Sequence, residues 1–334
     1  MTYSSGGLIQ ATDYNGFVST TANANINATW NSTYGQTALS TVATGATISA
    51  TQWATLNSTI SSMATHQGTT ITSRTNPVAG NTISVLANVN ADIASCYTNR
   101  YNANVIGSQF TAWTGTASFT TAIGNTGGNT KGAWTATFTD TITFANSTAA
   151  NAFFGAGGYA QIQFGKSSTG TTSDVEWNAF IGAAGAGAKV ANKVILTSDA
   201  ASKTIMGTTY QGTGKVGGTG TPSTLATGTG FNQLTTTPVT IYKQFDTGAA
   251  YTSNYVQINA SKNAAGNVIT LTTTWFDNGD TNVGASTNIT GGTATTGISW
   301  GTGPATIVTA YYPEATNISN VWGSITVASS IANT

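Results

Sequence analysis

Near residue 105 the hydrophobic period of the chain changes from helical to two, so a helical module must precede a strand-rich one. Ahead of that point Trp53, Leu56, Ile60 and Met63 recur at the spacing of one helix face. Ser49-x-x-Gln52 in front of them is a capping box, in which the serine oxygen takes an orphan backbone N–H. Gly68 is placed to stop this helix. A second helix is predicted from about Ile83, with Leu86, Val89, Ile93, Cys96 and Tyr97 on one face. A shorter helix is predicted from Asp13 to Val18.

Beyond Val105 the apolar residues alternate. Trp134, Ala136, Phe138, Ile142 and Phe144 point one way, and threonines 135, 137, 139, 141 and 143 the other. That pattern is a half-buried antiparallel strand, or two joined by a bend at Asp140. A bend is the reading adopted for Asp140, since a buried acid must otherwise be paired or protonated. Strands are also predicted over 239–245, 256–260 and 269–275, and near 160–164, 190–196, 303–312 and 321–328. Short helical inserts are expected at Ser147–Phe154, ahead of the Gly155–Gly158 stop, and after the capping pattern Ser173-x-x-Glu176. Residues 211–230 read as a long exposed loop. The fold class is therefore α+β. A helical attachment or oligomerisation module, residues 1–105, precedes a mainly antiparallel β-sandwich, residues 106–334, jelly-roll-like or immunoglobulin-like, with short helical inserts.

Charge now decides what such a chain can do. Only 6% of residues are Asp, Glu, Lys or Arg, against about 25% in an ordinary soluble protein. The first 130 residues carry Asp13, Arg74, Asp92 and Arg100 alone. Nucleic-acid binding needs clustered cations, and none occurs. No apolar run approaches the roughly 20 residues that span a membrane. The helical faces lack charge, so they are either wetted by Thr, Ser and Asn or covered by neighbouring subunits. Trp53, Leu56, Ile60, Met63, Leu86, Val89 and Ile93 are thus the candidate assembly residues. The opening MTYSSGGLIQ has neither a basic nor an apolar secretory region. The expectation is a neutral, hydroxyl-rich surface released without export.

Chemistry-bearing constellations are few. With one Cys (Cys96) and one His (His66) the chain can form no internal disulfide and no ordinary zinc site. His66 lies just past a helix end, where the dipole alone favours it. Asp277, Asp280 and Asn282 offer closely spaced oxygen ligands for Ca²⁺. An Asn-Gly pair there is also what a tight hairpin demands, and the hairpin is the reading adopted. Asp174 and Glu176 are the nearest thing to a glycosidase carboxyl pair, but both suit a helix N-terminus. Glycine spacings such as Gly212-x-Gly214-x-x-Gly217 lack the strand and helix of a phosphate loop. Tyr311 and Tyr312 must face opposite sides of one strand. No catalytic residue, cofactor or resident metal is assigned.

The segments Gly7-Leu-Ile-Gln-Ala-Thr-Asp-Tyr-Asn15, Tyr34-Gly-Gln-Thr-Ala-Leu39 and Ser49-Ala-Thr-Gln-Trp-Ala-Thr-Leu56, followed by His66-Gln67, resemble a family of virion structural proteins of tailed phages of cyanobacteria and other aquatic bacteria. So does Thr143–Gly158, with its double Phe and Gly-Gly, leading into Ile162–Phe164. The pattern departs at Gln163, where a basic residue is expected. The resemblance implies a virion component and favours a tail fibre or tail-associated site; with no catalytic residue assigned, the reading adopted is a non-enzymatic one, with the sandwich displayed for host-surface contact. The alternatives are a capsid-decoration or other self-assembling subunit, and a carbohydrate-active depolymerase. The implied partners are other virion proteins, sibling copies (a trimer in a fibre) and a host glycan or protein, with no nucleic acid and no membrane insertion; the implied location is the virion.

Overall fold

A computed structural model describes residues 10–19, 25–78, 86–111, 134–164, 177, 180, 193–210, 215–216, 225–226, 228–246, 252–277 and 306–333. Helices α1 (Ala11–Val18), α2 (Ile26–Trp30), α3 (Ala50–Gln67) and α4 (Leu86–Thr98) form the first part. The capping box of α3 is made in full. Ser49 Oγ accepts from Gln52 N at 3.2 Å, and Gln52 Oε1 accepts from Ser49 N at 2.8 Å. Gly68 ends α3 in the left-handed region at φ +71°, a conformation that costs glycine nothing. The short helix α2 has no apolar stripe long enough to be read from sequence. Its cap is Asn25, whose side chain accepts from Ala28 N at 3.0 Å.

Uncharged amides do much of the work that charged residues do elsewhere. Asn15 pairs both backbone groups of Val42, donating to its O and accepting from its N at 2.8 Å each. Asn27 does the same for Leu39, at 2.9 Å each. These two clamps hold the extended segment after α2 against the helices. An amide satisfies a backbone N–H and C=O together, without the desolvation cost of a charge. The Asn-rich composition of this region thus has a structural use.

The strand-rich part begins with β1 (Ile106–Thr111) and β2 (Trp134–Thr143), then α5 (Ser147–Gly155) and β3 (Tyr159–Phe164). The short strands β4 (Lys193–Leu196), β5 (Lys203–Ile205), β6 (Thr208–Tyr210), β7 (Lys215–Val216) and β8 (Leu225–Ala226) follow. Long strands β9 (Val239–Phe245), β10 (Tyr255–Lys262), β11 (Val268–Asp277), β12 (Thr306–Pro313) and β13 (Thr326–Asn333) complete it. One sheet runs β13-β2-β11-β10-β9-β7 and a second runs β1-β12-β3-β4-β8, with β5-β6 as a separate hairpin. Pairing is antiparallel except for β4 with β8 and β7 with β9. The chain is therefore α+β with mainly antiparallel sheets. Among the described residues no helix is long and apolar enough to cross a membrane.

Three expectations change. Asp140 does not bend its strand: β2 keeps unbroken register from Trp134 to Thr143 against β11. Ser329 on β13 hydrogen-bonds the Asp140 carboxyl, which lets the acid stay inside a straight strand. Within 211–230, residues 215–216 and 225–226 pair as short edges of the two sheets rather than forming only an exposed loop. The last strand starts at Thr326, not near 321, because Val321 and its neighbours lie outside the ladder.

One contiguous buried cluster takes side chains from α1 to α5 and from both large sheets, including Trp53, Ile93, Phe138, Phe154, Ile162 and Trp275. The two parts of the chain share this core. At the seam, a Cβ on Gly155 would sit 2.2 Å from Thr33 O, so only glycine lets α5 reach the helical part. Gln36 extends the amide pattern across the seam: it accepts from Ser319 N at 3.1 Å and donates to Ser319 O at 2.8 Å.

Candidate functional site

The residues expected to mediate assembly lie inside the protein's own fold. Trp53, Leu56, Ile60, Met63, Val89 and Ile93 are all buried within the single chain. Tyr14 and Phe17 of α1 meet Trp53 edge-on, with ring centroids at 5.7 and 5.9 Å. Leu86 opens α4, but its side chain is outside the described residues. The stripe is covered by α1, α2 and α4, so direct contact with a second copy through these side chains is corrected to intrachain packing. The sequence pattern gives an apolar face but does not say whose surface covers it.

His66 is fully buried. Its Nδ1 lies 3.0 Å from Glu314 Oε1 and its Nε2 lies 3.0 Å from Ala156 O. A backbone carbonyl can only accept, and Glu314 accepts from the N–H groups of Thr316 and Asn317 as well. The ring therefore sits between two acceptors, the Glu314 carboxylate and the Ala156 carbonyl. Burial pushes the Glu314 carboxyl up, but the donors on it outweigh that and hold it at about 2. The edge of Tyr34 closes the site, with ring centroids 5.3 Å apart. Both nitrogens are committed, so this pair ties α3 to the segment after β12.

Asp277 and Asp92 are also engaged in the interior. Asp277 accepts from Trp177 Nε1 at 2.9 Å and from Asn254 Nδ2 at 3.1 Å. Its carboxyl thus points into the core, while Asp280 and Asn282 lie outside the described residues, as do Asp174 and Glu176. Asp92 pairs with Arg74 and accepts from Thr72 N at 3.1 Å. Burial pushes the Cys96 thiol up to about 12, with Asp92 adding to the shift, which leaves it an inert core residue.

Asp140 is the exception among these groups. Its Oδ2 has no partner among the described residues. Burial pushes its pKa up to about 6 from the ordinary 3.8, and the Ser329 hydrogen bond offsets this only in part. The folded state therefore holds a proton between pH 4 and 6 that the unfolded chain has released. Stability should fall as pH rises through that window, by something on the order of 3 kcal/mol for a two-unit shift. Asp140→Asn removes the titration. Urea titrations at pH 4, 5, 6 and 7 should show this fall in the wild type and a flatter profile in the variant. Parallel profiles would mean that Asp140 is not the group responsible.

Among the described residues, the outer face of the six-stranded sheet gathers hydroxyl, amide and aromatic side chains on one exposed surface. Cross-strand partners there are Thr141 with Thr270, Thr139 with Thr272 and Thr137 with Thr274. The ranks continue on β10 through Asn259, opposite Thr272, and Gln257, opposite Thr274. These outward positions are half-exposed on β2, β10 and β11, and exposed on β13. Over β2, β9, β10, β11 and β13 the only charged outward residue is Lys243. At one end Phe245, Tyr255 and Phe276 sit side by side on β9, β10 and β11. Tyr255 stacks on Phe276 with centroids 4.9 Å apart, and Lys243 Nζ lies 3.7 Å from the Tyr255 centroid. The second sheet differs. Its outer side carries a small buried cluster of Ala103, Tyr159, Ile195 and Ile205, with Ile205 supplied by the β5-β6 hairpin. There Tyr311 stacks on Tyr159 at 4.4 Å, while Tyr312 turns the other way, edge-on to Phe153.

No protein-family model, curated protein or solved structure matches this chain. The alternating threonines of β2 were a visible signal for the outer face. Its aromatic end was not, because Phe245, Tyr255 and Phe276 come together only through strand register.

Proposed function

We propose that this chain is a non-enzymatic structural protein of a bacteriophage virion, a tail fibre or tail-associated component that presents a neutral sheet surface to the outside. The observation that carries the reading is the division of chemistry within the molecule. The ionisable groups His66, Glu314, Asp92 and Asp277 are committed to interior ties, while the outer sheet face carries hydroxyls, amides and three aromatic rings. The resemblance of the 7–15, 34–39, 49–67 and 143–164 segments to virion proteins of tailed phages supports the particle. We read the two large sheets as the layers of a β-sandwich, because side chains from both enter one buried cluster. The division at residue 105 is then one of labour rather than of core: residues 1–105 attach and 106–334 display. Because the helical stripe is internal, sibling copies and other virion proteins must meet the chain elsewhere on its surface.

Immunogold labelling of purified phage particles with antibody to this protein tests the reading. Label on the tail is expected. Label on the head would replace the tail assignment with a decoration role. Absence of both label and peptide signal from purified particles would overturn the virion assignment.

A further inference from the structure

We propose that the outer face of the six-stranded sheet binds a neutral polysaccharide, with Phe276 as the stacking platform. This deepens the surface-contact part of the proposed function and rests on it. The face is a grid. Strands lie about 4.8 Å apart and outward residues on one strand about 7 Å apart. The crossing points are occupied by groups that both donate and accept, such as Thr139, Thr272, Asn259 and Gln257. A sugar ring offers the same mixed hydroxyl chemistry. Two of these side chains are already held in place by their neighbours: Asn259 Oδ1 accepts from Thr240 Oγ1 and from Gln257 Nε2, at 2.9 Å each. Pre-ordered amides lose less freedom on binding.

The aromatic end adds an apolar plane. Tyr255 is occupied by Lys243 and by Phe276, so it has no free ring face. Phe276 ends the row. Its neighbour on β2 is Thr135, which is too small to cover a phenyl ring. Half-exposed Phe276 therefore offers its remaining face beside the hydroxyl grid, which is the pairing of plane and polar edge that a sugar's apolar face and equatorial hydroxyls require. Charge selects the ligand class. Over β2, β9, β10, β11 and β13 Lys243 is the single outward charge among the described residues, and its ammonium already lies over Tyr255, so the field available to hold a polyanion is small. A second copy of this chain is a poorer occupant, because the cores of protein interfaces are apolar and this grid is mostly hydroxyl and amide.

The full-length protein, coupled densely to a sensor surface, should retain soluble dextran, mannan or galactan, with many weak contacts acting together. Retention should be nearly the same at low and moderate salt. Phe276→Ala should cut it at least tenfold. The paired change Thr139→Val with Thr272→Val should cut it at least fivefold, since valine keeps the branched shape and strand preference but loses the hydroxyl. Circular dichroism and melting of each variant show whether the fold survives. No retention of any of the three neutral glycans overturns the proposal. So does retention of acidic alginate alone that salt abolishes, or retention unchanged in both folded variants. Stronger self-association of the valine pair without glycan binding would assign the face to a second copy instead. Failure here alongside positive particle labelling leaves the virion reading standing, and glycan binding without particle labelling does the reverse.

Discussion

His66→Leu is expected to destabilise the folded protein by about 3–5 kcal/mol, because it leaves the buried Glu314 carboxylate without its ring partner. Few single changes in the molecule should cost more. The substitution also removes the hydrogen bond to Ala156 O, so a buried carbonyl loses its donor. Urea unfolding at pH 7 measures the loss. Adding Glu314→Gln should restore part of it, giving a double-mutant coupling of about 1–3 kcal/mol. Purely additive losses would show that the two side chains do not act as a pair. Acid should report on the same tie. Glu314 is held below its ordinary 4.5, at about 2, so its contribution is complete above pH 4.5 and lost as pH falls toward 2. Glu314→Gln should flatten that acid limb. Asp140 acts with the opposite sign between pH 4 and 6, so the two acids together favour the folded state most near the middle of the acidic range.

Trp53→Ala is expected to cost about 3–5 kcal/mol, the usual range for emptying a buried tryptophan site. The ring is packed by Tyr14 and Phe17 of the same chain, so the loss belongs to the protomer. The drop in melting temperature should be the same at micromolar and at tenfold higher concentration. A drop that vanishes on concentrating the protein would return Trp53 to an intermolecular interface. An unchanged melting temperature would show that α3 is not buried through this face at all.

These two residues also mark the limit of what the sequence could reveal. Trp53 was legible because burial of a helix face follows from local spacing, and the ends of α3 followed from Ser49, Gln52 and Gly68. What covers that face was not legible, since α1, α2 and a second protein would leave the same pattern. The parity of β2, β10 and β11 was readable for the same local reason. Asp140 broke the parity in sequence but not in space, because its partner Ser329 lies on another strand. Short edges such as β7 and β8 carry too few residues to show a period. The His66–Glu314 pair, the amide clamps and the aromatic row depend on strand register and long-range closure, which composition and spacing do not encode.

The seam between helices and sheets sets a timetable for synthesis. His66 finds Glu314 248 residues further along the chain, and Gln36 finds Ser319 at a separation of 283. At about 5–20 residues per second, roughly 12–50 s pass between translation of His66 and that of its partner. β2 likewise waits for β13, whose residues 326–333 follow it by more than 180 positions. For that interval His66 on α3 has no Glu314 to meet, and the edge of β2 that takes β13 is open. What the emerging chain shows to its surroundings in that interval is a segment with almost no charge and a dense coat of threonine, serine and asparagine.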